Sequence, residues 1–346
     1  MREPSFSDAF EVLCLQAADK GRGPILFGDC LPRVRETLRP FFVSPAFPSV
    51  YLEFPLLGDP FLDVTLLYAS LDPSTRIASD AASGTEALLD WFSTADLKGT
   101  GTCMGFELDT KQEPVPAAAV HFQPRKHTDL VQPFFDALGE PERAQTYFAL
   151  ERRLPESWHP DFFGLFRGRP DSPLRVCGYI TEAERKACAK DLPHLKFILQ
   201  RAGFSAYNDE MLSQMQELMQ TSETTLDYQF DIYPDETLGS TFAFDVKFKT
   251  ETPDAVRKSF CGGSASRIMQ LFEQWGLADK RWELIPQAAF ARAVPVERDN
   301  GEVAPYSFTL MPGWAKLRWC DGVMQPAKFY FYGTAGILAD EDEEQD

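Results

Sequence analysis

From Leu226 to Thr250 (LDYQFDIYPDETLGSTFAFDVKFKT), aromatic and β-branched residues fall at every second position on both sides of a Pro-Asp-Glu-Thr-Leu-Gly break. Alternation around such a break predicts two antiparallel strands joined by a turn. In the second strand Phe242, Phe244, Val246 and Phe248 share one face, and Thr241, Ala243, Asp245, Lys247 and Lys249 share the other. One face needs an apolar layer. The other carries charge, so it either meets solvent or lines a wet cavity.

The same pattern recurs along the chain. Ser49–Leu57 and Pro60–Ala69 pair around Gly58-Asp59, with Val50, Leu52, Phe54 and Leu56 together and Glu53 opposite. Thr102–Asp109 and Ala117–Gln123 form a second pair, placing Ala119, His121 and Gln123 on one face. Asp161–Arg167 and Leu174–Ile180 form a third, with Arg175, Cys177 and Tyr179 opposed to Leu174 and Val176. A last pair, Phe308–Cys320 and Ala327–Tyr332, sets Lys328, Tyr330 and Tyr332 against Phe329 and Phe331. Helical periodicity occupies residues 5–20, 32–42, 73–97, 127–153, 181–201, 207–221 and 253–279, and the Pro-rich, charged stretch 286–305 reads as a long loop with an extra strand. A strand pair followed by one or two helices thus occurs about five times, at a period of roughly 60 residues.

Hairpin connections make antiparallel pairs. The expected fold is α+β: a closed antiparallel barrel of about ten strands, built from ββα(α) repeats and ringed by helices. Closure removes exposed strand edges, and about ten strands leave a lumen wide enough for a ligand. The polar strand faces would line that lumen.

Composition narrows the function. The 346 residues, 44% hydrophobic, suffice for one large domain, taken as 1–335, followed by an acidic and disordered tail at 336–346 that ends DEDEEQD. A net charge of −18 argues against a nucleic-acid surface. No apolar run of about 18 residues predicts a membrane span, and the N-terminus lacks a signal-peptide layout. Seven scattered cysteines without a CxxC pair fit reduced thiols in a cytoplasmic protein, with neither a disulfide framework nor a zinc site. Four histidines, none at metal-ligand spacing, point the same way. GxGxxG, Walker A, GxSxG and HExxH are absent, which removes the common nucleotide, hydrolase and protease readings. Cys261-Gly262-Gly263-Ser264 resembles a phosphate nest, but its glycines are read as the start of a helix.

Several short stretches in order carry a resemblance: Leu52-Glu53, Gly105-Phe106-Glu107-Leu108, Val120-His121-Phe122, and Ala327-Lys328-Phe329-Tyr330-Phe331-Tyr332. With the ββα repeats they make residues 40–332 similar to the ABBA-fold aromatic prenyltransferases, and most like the cyanobactin-type peptide prenyltransferases. A first-strand glutamate is shared with the fungal indole enzymes, so Glu53 does not separate the branches. The resemblance implies transfer of a dimethylallyl or geranyl group from its diphosphate to a side chain of a ribosomal, cyclic peptide. Magnesium would arrive with the diphosphate, since no DDxxD cluster is present and no protein metal ligands are expected.

Such a site must hold the leaving diphosphate, shield an allylic cation and take a proton from the acceptor. Arg175, Lys247, Lys249, Lys316, Arg318 and Lys328 are candidates for the first task, as charge-assisted donors. Tyr179, Tyr330 and Tyr332 can shield the cation with their ring faces. Glu53 serves as general base or acceptor anchor, and His121 as an acceptor contact. Where similar peptide enzymes carry basic residues, this chain has Asp63, Ala119 and Gln123. Asp63, Glu107 and Asp245 would instead complement a cationic acceptor. Two competing readings stay open: a small-molecule enzyme acting on indoles or phenols, and a non-catalytic barrel that binds an apolar ligand or peptide. The chain is shorter than the fungal indole enzymes, which favours the peptide branch.

Overall fold

Strict alternation between buried and half-buried residues marks Ser49–Pro55 (β1) and Asp63–Tyr68 (β2). These are the first of twelve antiparallel strands in a computed structural model that describes residues 23–38, 49–68, 85–108, 117–122, 127–166, 173–248, 251–297 and 303–337. The others are β3 (Cys103–Leu108), β4 (Ala117–Phe122), β5 (Trp158–Phe166), β6 (Leu174–Ile180), β7 (Leu226–Ile232), β8 (Leu238–Lys247), β9 (Phe290–Glu297), β10 (Val303–Cys320), β11 (Val323–Met324) and β12 (Lys328–Ile337). Each of β1 to β7 pairs with the next. β12 pairs with β1 on one side and β10 on the other, and the second half of β10 pairs with β8. These pairings close a ring of ten strands among the described residues. β9 and β11 lie outside it, both hydrogen-bonded to β10.

The apolar strand faces point outward, against the helices. Phe54, Phe329 and Phe331 cluster with centroids 5.5–5.8 Å apart, and Phe248 stacks on Phe329 at 5.7 Å. Each such ring is shut off from solvent, worth roughly 1.5–3 kcal/mol relative to exposure. Helices Glu142–Arg153, Leu192–Ala202, Asp209–Thr221 and Ser264–Gln274 supply the other half of this core through their apolar stripes. The continuous helix read at 181–201 is two, Glu182–Cys188 and Leu192–Ala202. Asp191 caps the second by accepting from the His194 amide at 3.1 Å, and Pro193 sits in its first turn, where a missing N–H costs nothing. Gly263 does precede a helix, as the N-cap of Ser264–Gln274, and a Cβ there would meet the Lys258 carbonyl oxygen at 2.8 Å.

The 286–305 stretch supplies β9, which pairs with residues 303–310 of an 18-residue β10. Within β10 the register with β12 shifts between Pro312 and Trp314. From Tyr306 to Leu310 the buried positions are Tyr306, Phe308 and Leu310; after the shift they are Ala315, Leu317 and Trp319. This bulge changes which parity faces inward, and so delivers Trp314, Lys316 and Arg318 to the lumen. Among the described residues no helix is long and apolar enough to cross a membrane. The helix read at 5–20, the final tail residues 338–346, Gln123 and Lys249 lie outside the described residues.

Candidate active site

The inward faces enclose a cavity of about 650 Å³. Its chemistry follows from the register of neighbouring strands. One row of cross-strand partners runs Lys247, Trp314, Tyr330, Glu53, Asp63, from β8 through β10, β12 and β1 to β2. A second row, one strand pleat away, runs Asp227, Asp245, Lys316, Lys328, from β7 to β12. No two of these residues within a row share a strand, so the site exists only when the barrel is closed.

Glu53 sits at the centre of the first row. Its carboxylate is ion-paired with Lys328 and accepts a hydrogen bond from the Tyr330 hydroxyl. Lys328 also reaches Asp63 at 3.7 Å. Burial would raise the Glu53 carboxyl, but the Lys328 and Lys316 ammonium groups and the two hydrogen bonds outweigh it and hold it below its ordinary value. Burial acts on Lys328 in the opposite sense and is likewise outweighed, by Glu53 first, so its ammonium is held above its ordinary value. Burial and the adjacent carboxylate push the Tyr330 hydroxyl well above its ordinary value, which keeps it a donor. Glu53 is therefore an ionised, immobilised carboxylate at neutral pH.

Three of the other cations are held by carboxylates of their own. Arg175 makes a bidentate pair with Asp231 at 2.8 and 3.0 Å. Lys247 bonds Asp227 at 3.0 Å, and Lys316 lies 3.7 Å from Asp245. Asp245 is itself fixed by Gln229 Nε2, which donates at 2.7 Å. Five carboxylates and five cations line the cavity, so it is formally neutral although the chain carries −18. A lysine has three N–H donors and each ion pair uses one, which leaves donors for an anionic ligand. Arg318, two residues beyond Lys316, is exposed at the rim.

An aromatic panel stands beside these charges. Trp314 stacks on Tyr330 with centroids 4.6 Å apart and 15° between planes, and Tyr51 packs edge-on to Trp314 at 4.8 Å. Lys247 Nζ sits 4.2 Å from the Trp314 centroid and Lys316 Nζ 5.1 Å from that of Tyr330. Such rings attract a cation through their quadrupole while offering it no nucleophile, provided water is excluded.

Ten of the residues singled out from sequence line this one cavity: Glu53, Asp63, Glu107, Arg175, Asp245, Lys247, Lys316, Arg318, Lys328 and Tyr330. Tyr179 and Tyr332 do not. Tyr179 packs against the His159 ring at 5.2 Å, and Tyr332 packs on Tyr51 at 5.1 Å, with its hydroxyl 3.0 Å from Ser49 Oγ. Asp245 is 3% exposed, accepts from Gln229 and lies beside Lys316. His121 pairs with Cys103 and Gly164 through the backbone, but its side chain lies outside the described residues. Trp314, Tyr51, Asp227 and Asp231 were missed. For Trp314 the signal was Pro312-Gly313 inside a strand, a pair of residues that marks a bulge. The two aspartates alternate with Gln229 on the polar face of β7, as plainly as Arg175 and Cys177 do on β6.

No protein-family model matches the sequence, and no curated protein matches it. Solved structures do match. A 5-dimethylallyltryptophan synthase from Streptomyces coelicolor superposes with a TM-score of 0.52 over 96% of this chain and 98% of its own, at 13% identity. The prenyltransferase PriB gives 0.52 over 95% and 96%, at 14% identity, and AnaPT from Neosartorya fischeri 0.50 over 96% and 93%, at 9%. The chain has the ABBA prenyltransferase fold. At these identities the likeness is one of fold, and it does not single out the cyanobactin-type branch. A second structure of the Streptomyces synthase, in complex with DMASPP and Trp, has the same TM-score of 0.52.

Proposed function

We propose that this protein transfers an allylic prenyl group from its diphosphate to a small aromatic acceptor of the tryptophan or indole class. The row Lys247–Trp314–Tyr330–Glu53–Asp63 carries the reading, because it places cation, aromatic face and carboxylate side by side across four strand boundaries. Structural neighbours support it: one is a dimethylallyltryptophan synthase, seen also with DMASPP and Trp. A cavity of about 650 Å³ lies within the ~300–1,000 Å³ typical of small-molecule sites.

In this reading Lys247, Lys316 and Arg318 donate their remaining N–H groups to the diphosphate, with Arg175 deeper in the lumen. Their carboxylate partners hold the cations in place before the donor arrives. The allylic C–O bond breaks, the diphosphate leaves with the electron pair, and the carbocation forms against Trp314 and Tyr330. The acceptor ring attacks it, forming the new bond to carbon or nitrogen, and loses a proton. Glu53 stabilises the positive charge that develops on the ring and receives that proton. A carboxylate held low is a weak base but is always ionised, which suits the electrostatic part of the task. Asp63, on the same row, complements the ammonium group of an amino-acid acceptor.

Four of the five carboxylates that line the lumen are already committed, Glu53 and Asp63 to Lys328, Asp231 to Arg175, and Asp245 to Gln229 and Lys316, and these do not fit a protein-held magnesium ion. Magnesium would enter as part of the donor substrate, and no step is assigned to it. A peptide side chain presented at the lumen mouth would meet the same groups. Mass spectrometry after incubation with dimethylallyl or geranyl diphosphate, against free tryptophan, tyrosine and cyclic peptides, separates the readings. Prenylated free tryptophan supports the proposal. Modification of peptides alone would move the acceptor to the peptide class, and no product together with no calorimetric diphosphate binding would leave a binding barrel.

A further inference from the structure

On the helical layer outside the barrel, three metal-ligating side chains converge that sequence spacing had not suggested. Glu184 and Cys188 stand one turn apart on helix Glu182–Cys188, and the chain reverses through Asp191 to bring in His194 from the first turn of Leu192–Ala202. Glu184 Oε1 lies 2.6 Å from His194 Nε2 and accepts from Cys188 Sγ at 3.7 Å. One ligand atom of each residue lies within 4.8 Å of the other two.

The backbone beneath them is fixed from three sides. Thr181 caps the first helix through the Glu184 amide, and Asp191 caps the second through the His194 amide. From helix Asp209–Thr221, Gln216 donates to the Cys188 carbonyl at 3.3 Å and Gln220 to that of Ala189 at 2.7 Å. Cys188 is fully buried, while the His194 side chain is 37% exposed and opens the cluster to solvent.

We propose that Glu184, Cys188 and His194 bind one zinc-class divalent ion through carboxylate oxygen, thiolate and Nε2, with water in the fourth position. Thiolate and imidazole select zinc over magnesium, so this site is distinct from any metal brought by a diphosphate. Tetrahedral bonds of about 2.0–2.3 Å set ligand atoms roughly 3.3–3.8 Å apart. The thiol and carboxylate already stand at that spacing, and the imidazole has to open slightly from Glu184. Binding exchanges the two hydrogen bonds on Glu184 for one metal bond. It releases the Cys188 thiol proton to solvent. Burial, then the Glu184 carboxylate, pushes this thiol up to about 12, a barrier that the ion's own charge reverses. The bound ion would tie the two helices that follow β6, the strand of Arg175.

Cobalt titration of the full-length protein tests this. One equivalent should produce a thiolate-to-cobalt charge-transfer band with release of at least one proton, reversed by zinc and untouched by magnesium. His194→Ala, at a half-exposed position that should not disturb folding, should weaken cobalt binding at least about tenfold, and Cys188→Ser should abolish the band. Absence of a band would overturn the site, and so would a band unchanged in His194→Ala, which would assign the thiolate ligand to another cysteine. If Cys188→Ser does not fold, His194→Ala alone decides.

Discussion

Replacing Lys328 by methionine removes a cation that ion-pairs with both Glu53 and Asp63, which are direct cross-strand partners. Two like charges facing each other across a strand pair repel. At about 4 Å and an effective dielectric near 20, one such interaction amounts to roughly 4 kcal/mol. Breaking a fully buried pair costs about 3–5 kcal/mol. Here the Glu53, Asp63 and Lys328 side chains are 16%, 18% and 29% exposed, so about 2 kcal/mol is the expected loss at pH 7 after this partial screening. Adding Glu53→Gln should restore part of it, because one of the two stranded carboxylates disappears; Glu53→Gln in the wild-type background should not stabilise. The pH dependence has a definite sign. In the wild type Glu53 is held below its ordinary 4.5, so its stabilising contribution is present above that value and is lost as pH falls through the lower folded value. Without Lys328 the largest influence opposing burial is gone, so the carboxyl should move up from its wild-type position. The deficit of Lys328→Met should then shrink as pH falls from 7 towards 4. Urea unfolding of the four proteins of the cycle, at pH 7 and pH 5, measures this. A double variant at least as unstable as the sum of the singles, with a deficit independent of pH, would refute the electrostatic reasoning.

Three further outcomes follow from other parts of the structure. Gly178→Ala should destabilise the barrel by about 3 kcal/mol or more, since its Cβ would stand 1.8 Å from the His159 carbonyl oxygen and 2.6 Å from the Tyr228 hydroxyl; thermal unfolding reads this directly. Trp314→Ala should remove most of the cation-shielding face, and the measure is the fraction of prenyl diphosphate lost to water rather than transferred, which should rise several-fold. Arg281→Ala should lower prenyl transfer without touching substrate. Its guanidinium bonds the Gly58 carbonyl at 2.6 Å and Asp279 at 2.7 Å, and so anchors the turn between the strands of Glu53 and Asp63; hydrogen exchange at β1 and β2 should rise in step.

The barrel was legible because its inner and outer faces differ in kind. Phe242, Phe244 and Val246 against Asp245 and Lys247 is a pattern that a single-sided solvent-facing sheet also shows, and only its recurrence in successive hairpins pointed to closure. Register was not legible. Nothing in the sequence says that Lys316 stands opposite Asp245 and Lys328, or that Glu53 stands between Tyr330 and Asp63, because those partners lie up to 277 residues apart along the chain. The basic residues therefore read as a free phosphate cradle, whereas Lys247, Lys316, Lys328 and Arg175 each hold a carboxylate. Tyr332 shows the limit of parity alone. It shares a strand face with Tyr330, yet it packs on Tyr51 and does not line the cavity. The Glu184–Cys188–His194 cluster was hidden for another reason: the helix break at Asp191 brings His194 back over Cys188, and a helix taken as continuous through residue 201 would have carried it away.

The most direct measurement is the rate of prenyl transfer to free tryptophan by the wild type and by Glu53→Gln, with dimethylallyl diphosphate in excess and product followed by mass. The lumen described above predicts tryptophan heavier by one isoprenyl unit with the wild type, and a rate lower by about 10²-fold or more in the variant, whose amide can neither take the proton nor stabilise the charge. An unchanged rate in Glu53→Gln, in a protein that still folds and binds the diphosphate, would contradict it.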